Sequence, residues 1–88
     1  MNAAMSDVDL VTLVPAGRAD ARGVGCPGPL LEAKKAMSGV PVGEVLELWS
    51  SDPDSKKDVA AWANKVGHVV LGVVPEAGYD RIFIRRGR

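Results

Sequence analysis

The stretch Arg22-Gly23-Val24-Gly25-Cys26-Pro27-Gly28-Pro29-Leu30-Leu31-Glu32-Ala33-Lys34-Lys35 passes from glycine-rich chain into helix formers within a few residues, and it holds the only cysteine. Proline is tolerated in the first turn of a helix, where its missing N–H has no partner to lose and its φ is already helical. Pro27 and Pro29 therefore mark a helix start, with Cys26 at or near the N-cap. A thiolate there faces unpaired backbone N–H groups and the positive end of the helix dipole, an interaction of about 0.3–1 kcal/mol and up to roughly 2 in sheltered geometry. At about 1.4 kcal/mol per pK unit, this draws the thiol down from its free value of about 8.5. Gly23 and Gly25 leave no regular element in which the cysteine could be buried. Gly25, Pro27, Gly28 and Pro29 then frame the site, with Gly28 permitting close approach by a partner.

Working outward, Leu30, Ala33 and Met37, with Leu31 beside them, recur at helical spacing from Pro27 to about Ser38. Gly39 is expected as a left-handed stop and Pro41 forbids continuation. Before the motif, Arg18-Ala19-Asp20-Ala21 is read as a short strand, since a helix this small needs a sheet to pack on. After it, Val42 to Ser50 is a strand with Leu46 and Leu48 on one face and Val45, Glu47 and Trp49 on the other. Ser51-Asp52-Pro53-Asp54 reads as a turn. Ser55-Lys56-Lys57-Asp58 has the form of a capping box opening a second helix, whose stripe is Val59, Trp62, Ala63 and Val66 and whose stop is Gly67. His68 to Val74 is a β-branched strand, Pro75 to Asp80 a turn, and Tyr79 to Arg85 the returning strand of a hairpin. The order β-α-β-α-β-β, with right-handed crossovers, predicts an α+β fold: a two-layer α/β sandwich with two helices on one face of a four-stranded mixed sheet. Residues 1–16, with the apolar patch Val8 to Val14, are expected as an N-terminal tail or edge strand, and 17–88 as the domain proper.

A chain of 88 residues is one small domain. A lone cysteine can form neither an internal disulfide nor a Cys-x-x-Cys pair, which points to a reducing compartment. The longest apolar run, Val69 to Val74, is too short to span a bilayer, and the N-terminus lacks the pattern of a signal peptide. A cytoplasmic location and no membrane partner are expected. Eleven Lys and Arg balance 11 Asp and Glu, giving a net charge of zero that argues against direct nucleic-acid binding. With no Cys or His cluster, neither a metal site nor a cofactor is expected. Arg22 stands near enough in sequence to stabilise a sulfur anion, while Lys34, Asp52 and Asp58 are candidates for partner contact. Trp49, on the second face of its strand, is another. Arg81, Arg85, Arg86 and Arg88 read as guards of a terminal strand.

Taken together, the Cys-Pro-x-Pro-Leu run at Cys26 to Leu30, Gly-x-x-Leu at Gly43 to Leu46, Asp52-Pro53 followed by Asp58, Gly67-His68 and the arginine-rich last strand resemble the TusA/SirA-like sulfur-carrier family, over about Ala19 to Arg86. The resemblance implies the same two-layer sandwich, a persulfide held on Cys26, and transfer to another protein's thiol. It implies a donor protein (a cysteine desulfurase or a rhodanese-like protein), a DsrE/TusD-like acceptor and a monomeric carrier. Gly28 stands where tRNA-thiolation members often carry Glu, and Ser51 where many carry a second Asp. Both departures favour sulfur trafficking or oxidative sulfur metabolism over sulfur relay for tRNA 2-thiouridine synthesis. A redox-sensing or regulatory module is the alternative from another class. Alkylation of Cys26 is expected to titrate below the free-thiol value of about 8.5; a rate-against-pH profile with its midpoint at or above that value would remove the helix-terminus argument.

Overall fold

A computed structural model describes residues 10, 12–25 and 27–88. Six elements follow in order: β1 Gly17–Ala21, α1 Gly28–Met37, β2 Val45–Ser50, α2 Ser55–Val66, β3 Val69–Glu76 and β4 Tyr79–Arg85. The four strands form one sheet in the order β1-β2-β4-β3. β1 runs parallel to β2, with Ala19 opposite Leu48, while β4 is antiparallel to both β2 and β3. The sandwich read from the sequence is the one observed, with β4 inserted between the two strands that α2 connects.

Strand alternation divides the sheet into two unlike faces. Ala19, Ala21, Leu46, Leu48, Ile82 and Ile84 form one buried face, and Ala33 and Met37 of α1 with Val59 and Ala63 of α2 close over it as the main core. Pro29, Ala33 and Met37 are the buried positions of α1, whereas Leu31 points outward. On the opposite face Phe83 and Val74 form a smaller cluster with Leu10, and Leu13, Val45 and Leu71 pack around it.

Three local expectations need correction. Gly39 is not left-handed, for only Gly23, Gly43, Gly67 and Gly78 have positive φ. α1 ends instead with the Ser38 hydroxyl donating to the Lys35 carbonyl at 2.7 Å, and with the Arg86 guanidinium donating to the carbonyls of Val40 (2.7 Å) and Met37 (3.3 Å). The capping box does not form. Asp54 is the N-cap of α2 without a side-chain bond, the turn before it is closed by the Asp54 N–H donating to Asp52 Oδ1 at 3.0 Å, and the Ser55 hydroxyl is buried without a partner among the described residues. Pro75 lies inside β3 rather than in the turn, which shrinks to Ala77-Gly78 between paired Glu76 and Tyr79. An edge strand tolerates a proline that a central one would not. Gly67 does supply the left-handed stop of α2, at φ 91°.

Residues 1–9 and 11, on which much of the expected N-terminal tail or edge strand falls, lie outside the described residues. Within its described part, Leu10 and Leu13 pack on the sheet. Leu10 is 1% exposed, seated over Gly72, where a Cβ would come within 2.6 Å of the leucine Cδ1. β3 shifts register between Val70 and Gly72, which brings Leu71 onto the same cluster. Gly72→Ala is therefore expected to cost about 1–3 kcal/mol by overpacking, and much less in a Leu10→Ala background. Chemical denaturation of the two single variants and the double variant measures the coupling; strictly additive costs would mean that Leu10 does not occupy this slot.

Candidate functional site

Two parallel strands and the helices that follow them set up the site. Because β1 and β2 run the same way, the turns that leave their C-terminal ends lie side by side: Arg22–Pro27 leading into α1 and Ser51–Asp54 leading into α2. The first is joined to the second by the Gly23 N–H, which donates to the Ser51 hydroxyl at 2.7 Å. Gly23, Val24 and Gly25 with Ser51 and Asp52 surround an open depression of about 300 Å³. Within the loop, the Val24 N–H donates to the Ala21 carbonyl (3.3 Å) and the Gly28 N–H to the Gly25 carbonyl (2.7 Å). These bonds tie the described backbone on either side of residue 26.

Cys26 lies outside the described residues, and with it the expected position of its thiol. Its neighbours are placed. Pro27, exposed, is the N-cap of α1, and Pro29 is buried in the first turn, which contains no acidic residue to offset the dipole. Gly25 is exposed, with open space where a side chain would project. Gly28 has an internal reason to lack one: a Cβ there would stand 2.0 Å from Val24 Cγ1. The bare edge assigned to a partner is taken by the protein's own valine.

The other sequence candidates separate. Asp52 borders the depression and shapes the turn, and Asp58 lies in the first turn of α2. Lys34 is elsewhere, in the last turn of α1. There it lines a groove of about 520 Å³ with Met37, Trp62, Lys65, His68 and Arg86. His68 is a packing residue, its Nδ1 accepting from the Gly87 N–H at 3.0 Å and its ring set edgewise on Trp62. Burial, then the charges of Arg86 and Arg88, hold its pKa below the ordinary value.

Arg22 is engaged with Asp20 and with two aromatic rings. Its Nε and Nη2 donate to the two carboxylate oxygens of Asp20 at 2.9 and 2.7 Å, and its guanidinium lies 4.6 Å from the ring centre of Trp49 and 4.9 Å from that of Tyr79. The Arg22 hydrogen bonds, from side chain and then backbone, bring the Asp20 carboxyl down to about 2. Trp49 is thus half-buried beneath arginine on the helix-free face.

Beneath this layer is a residue the sequence reading missed. Glu47 is 1% exposed, accepting from Arg81 Nε at 2.8 Å and from the Trp49 indole N–H, with Arg18 Nη2 at 3.5 Å. Burial alone would raise its pKa; the hydrogen bonds of Arg81 and Trp49 and the charges of Arg81 and Arg18 outweigh that and lower it. The signal available was its place between Leu46 and Leu48 at the centre of a strand. Arg81 and Arg18 become its partners only through strand register.

Among known proteins, the sequence model of the family described as Sulfurtransferase TusA matches residues 18–86. A protein of Archaeoglobus fulgidus named as a sulfur carrier is 48% identical over 67 residues, 76% of this chain and 92% of the relative. The sulfur carrier protein TusA of Allochromatium vinosum is 36% identical over 67 residues, 76% of this chain and 88% of its own. The crystal structure of a SirA-like protein from Desulfitobacterium hafniense superposes with a TM-score of 0.70, covering 82% of this chain and 99% of that one; at 23% identity it bears on the fold alone. The chain belongs to the TusA family.

Replacing Glu47 with Ala is expected to cost about 1–3 kcal/mol at neutral pH, because it leaves the part-buried Arg81 and Trp49 donors without their acceptor. Since folding lowers the carboxyl's pKa, the ionised group contributes stability above the unfolded value of 4.5 and loses it as pH falls through the folded value. The stability gap between wild type and variant, followed by denaturation from pH 7 to acid, should therefore narrow on acidification; a gap that stays constant would contradict the charged pairing.

Proposed function

We propose that the chain is a sulfurtransferase of the carrier kind, which holds sulfane sulfur as a persulfide on Cys26 and passes it between proteins. The observation that carries this reading is the open edge on which the motif sits. Gly25 and Pro27 are exposed beside a shallow depression at the start of α1, a surface that a partner protein's thiol can reach. Family membership supports the same reading.

The transfer needs little beyond that access. The Cys26 thiolate attacks the outer sulfur of a donor persulfide, the donor's S–S bond breaks, and the donor leaves as a thiolate while a new bond forms between Cys26 Sγ and the transferred sulfur. The acceptor's thiolate repeats the step on Cys26, with no net oxidation. Protein docking therefore sets specificity, and the chain acts as a cytoplasmic monomer between a cysteine desulfurase or rhodanese-like donor and a DsrE/TusD-like acceptor. Gly28 and Ser51 favour sulfur trafficking or oxidative sulfur metabolism over the tRNA relay. Each is used inside this chain: Gly28 accommodates Val24, and the Ser51 hydroxyl accepts from Gly23.

Incubation with a cysteine desulfurase plus cysteine, or with a rhodanese plus thiosulfate, is expected to add whole sulfur atoms to the protein mass. Dithiothreitol should reverse the addition, and a second protein's cysteine should be able to receive it. Cys26→Ser should keep its circular dichroism spectrum and lose all loading. Failure of both donors and of polysulfide to load wild type would pass the site to the redox-sensing reading.

A further inference from the structure

We propose that Trp49 and Arg22 form a clasp that positions the loop carrying Cys26, so that Arg22 serves the thiol through loop geometry and not through its charge. This rests on the reading of Cys26 as the working thiol. The loop needs such a fixture. Gly23 adopts φ 79° and has no atom within 4 Å of where a side chain would begin, and Gly25 also faces open space. Glycines lose the most conformational freedom on ordering, so the anchors at the loop's ends decide how narrowly it is held.

At its far end the loop is held by the Gly25–Gly28 turn and by Val24 against Gly28. At its near end the backbone holds come from Gly23 to Ser51 and from Val24 to Ala21, the latter long at 3.3 Å. β1 is only five residues long and pairs on one side alone, so few backbone bonds hold its end. The side chain that fixes it is Arg22, whose guanidinium carbon lies over the rings of Trp49 and Tyr79 and whose Nε and Nη2 donate to both oxygens of Asp20. The platform is rigid in turn: Trp49 donates its indole N–H to buried Glu47, and its ring lies 5.6 Å from that of Tyr79. A buried carboxylate on the helix-free face thus supports, through an indole and a guanidinium, the residue that opens the sulfur loop. Two of the guanidinium nitrogens are held by Asp20 in this arrangement, so its charge is paired within the chain.

The test is the alkylation rate of Cys26 by iodoacetamide at fixed pH, in folded variants checked by circular dichroism. Arg22→Met and Trp49→Ala should each slow it roughly two- to fivefold, the worth of one cation–π contact at an exposed site, and the double variant should be no slower than the slower single. Arg22→Lys should behave like Arg22→Met, since an ammonium neither stacks flat nor grips both carboxylate oxygens. Trp49→Phe should keep most of the wild-type rate by keeping a ring, and it stands in if the alanine variant fails to fold. Full rate in Arg22→Lys with no effect of Trp49→Ala would show that charge is what matters. Multiplying effects, or wild-type rates throughout, would equally overturn the clasp. Polysulfide loading of wild type, run alongside, keeps the two readings apart: a protein that shows this alkylation pattern but takes up no sulfur has the clasp without the carrier function.

Discussion

The two-faced alternation of β2 is the constraint on which the rest of the molecule depends. Leu46 and Leu48 point to the helices and are the centre of the main core, while Glu47 and Trp49 point the other way. A leucine pair in a central strand gives both helices one surface to cover. The opposite face then has to be finished by other means, and two are used. Over β3 and β4 it is sealed by Leu10 and Leu13. Over β1 and β2 it is sealed by arginine on tryptophan above a buried glutamate. A buried carboxylate is costly unless its lone pairs are filled, and three donors fill them here.

This division explains why some features were legible in the sequence and others were not. Gly67 stops α2 through its own backbone, and the stripe Val59, Trp62, Ala63 and Val66 buries a face set by helical geometry, so both could be read locally. Gly39 is not needed in the left-handed region because the Gly39 and Val40 N–H groups donate to the Ala36 and Met37 carbonyls without it, and Arg86, 46 residues or more away in the chain, also donates to the carbonyls of Met37 and Val40. Ser55 looked like a cap because its spacing to Asp58 is right, yet an Asp52 turn sets the helix start one residue earlier. Leu10 and Glu47 were invisible as core residues for the same reason. Each is buried by residues brought close only when the sheet assembles. The motif around Cys26 was legible because its glycines and prolines act within a few residues of one another. The packing of Arg22 on Trp49 was not legible, because β1 and β2 bring the two together only when the sheet pairs.

The site and the fold meet at one edge. The parallel pairing of β1 and β2 puts the loop before α1 next to the turn before α2, and Ser51 ties them together. A small protein thereby presents a short loop on an open surface, as the proposed transfer between two proteins requires. Lys34 and the basic groove lie at the other ends of the helices and belong to a different surface.

The most direct measurement is the covalent state of Cys26 in the protein's own cells, trapped at lysis with an excess of alkylating agent and read from the mass of the peptide that contains it. The account predicts a population of that peptide carrying additional sulfur between the cysteine and the alkyl group, released by reductant. A peptide found only as alkylated thiol, sulfenic acid or mixed disulfide, under conditions where other persulfides survive the same trapping, would contradict it.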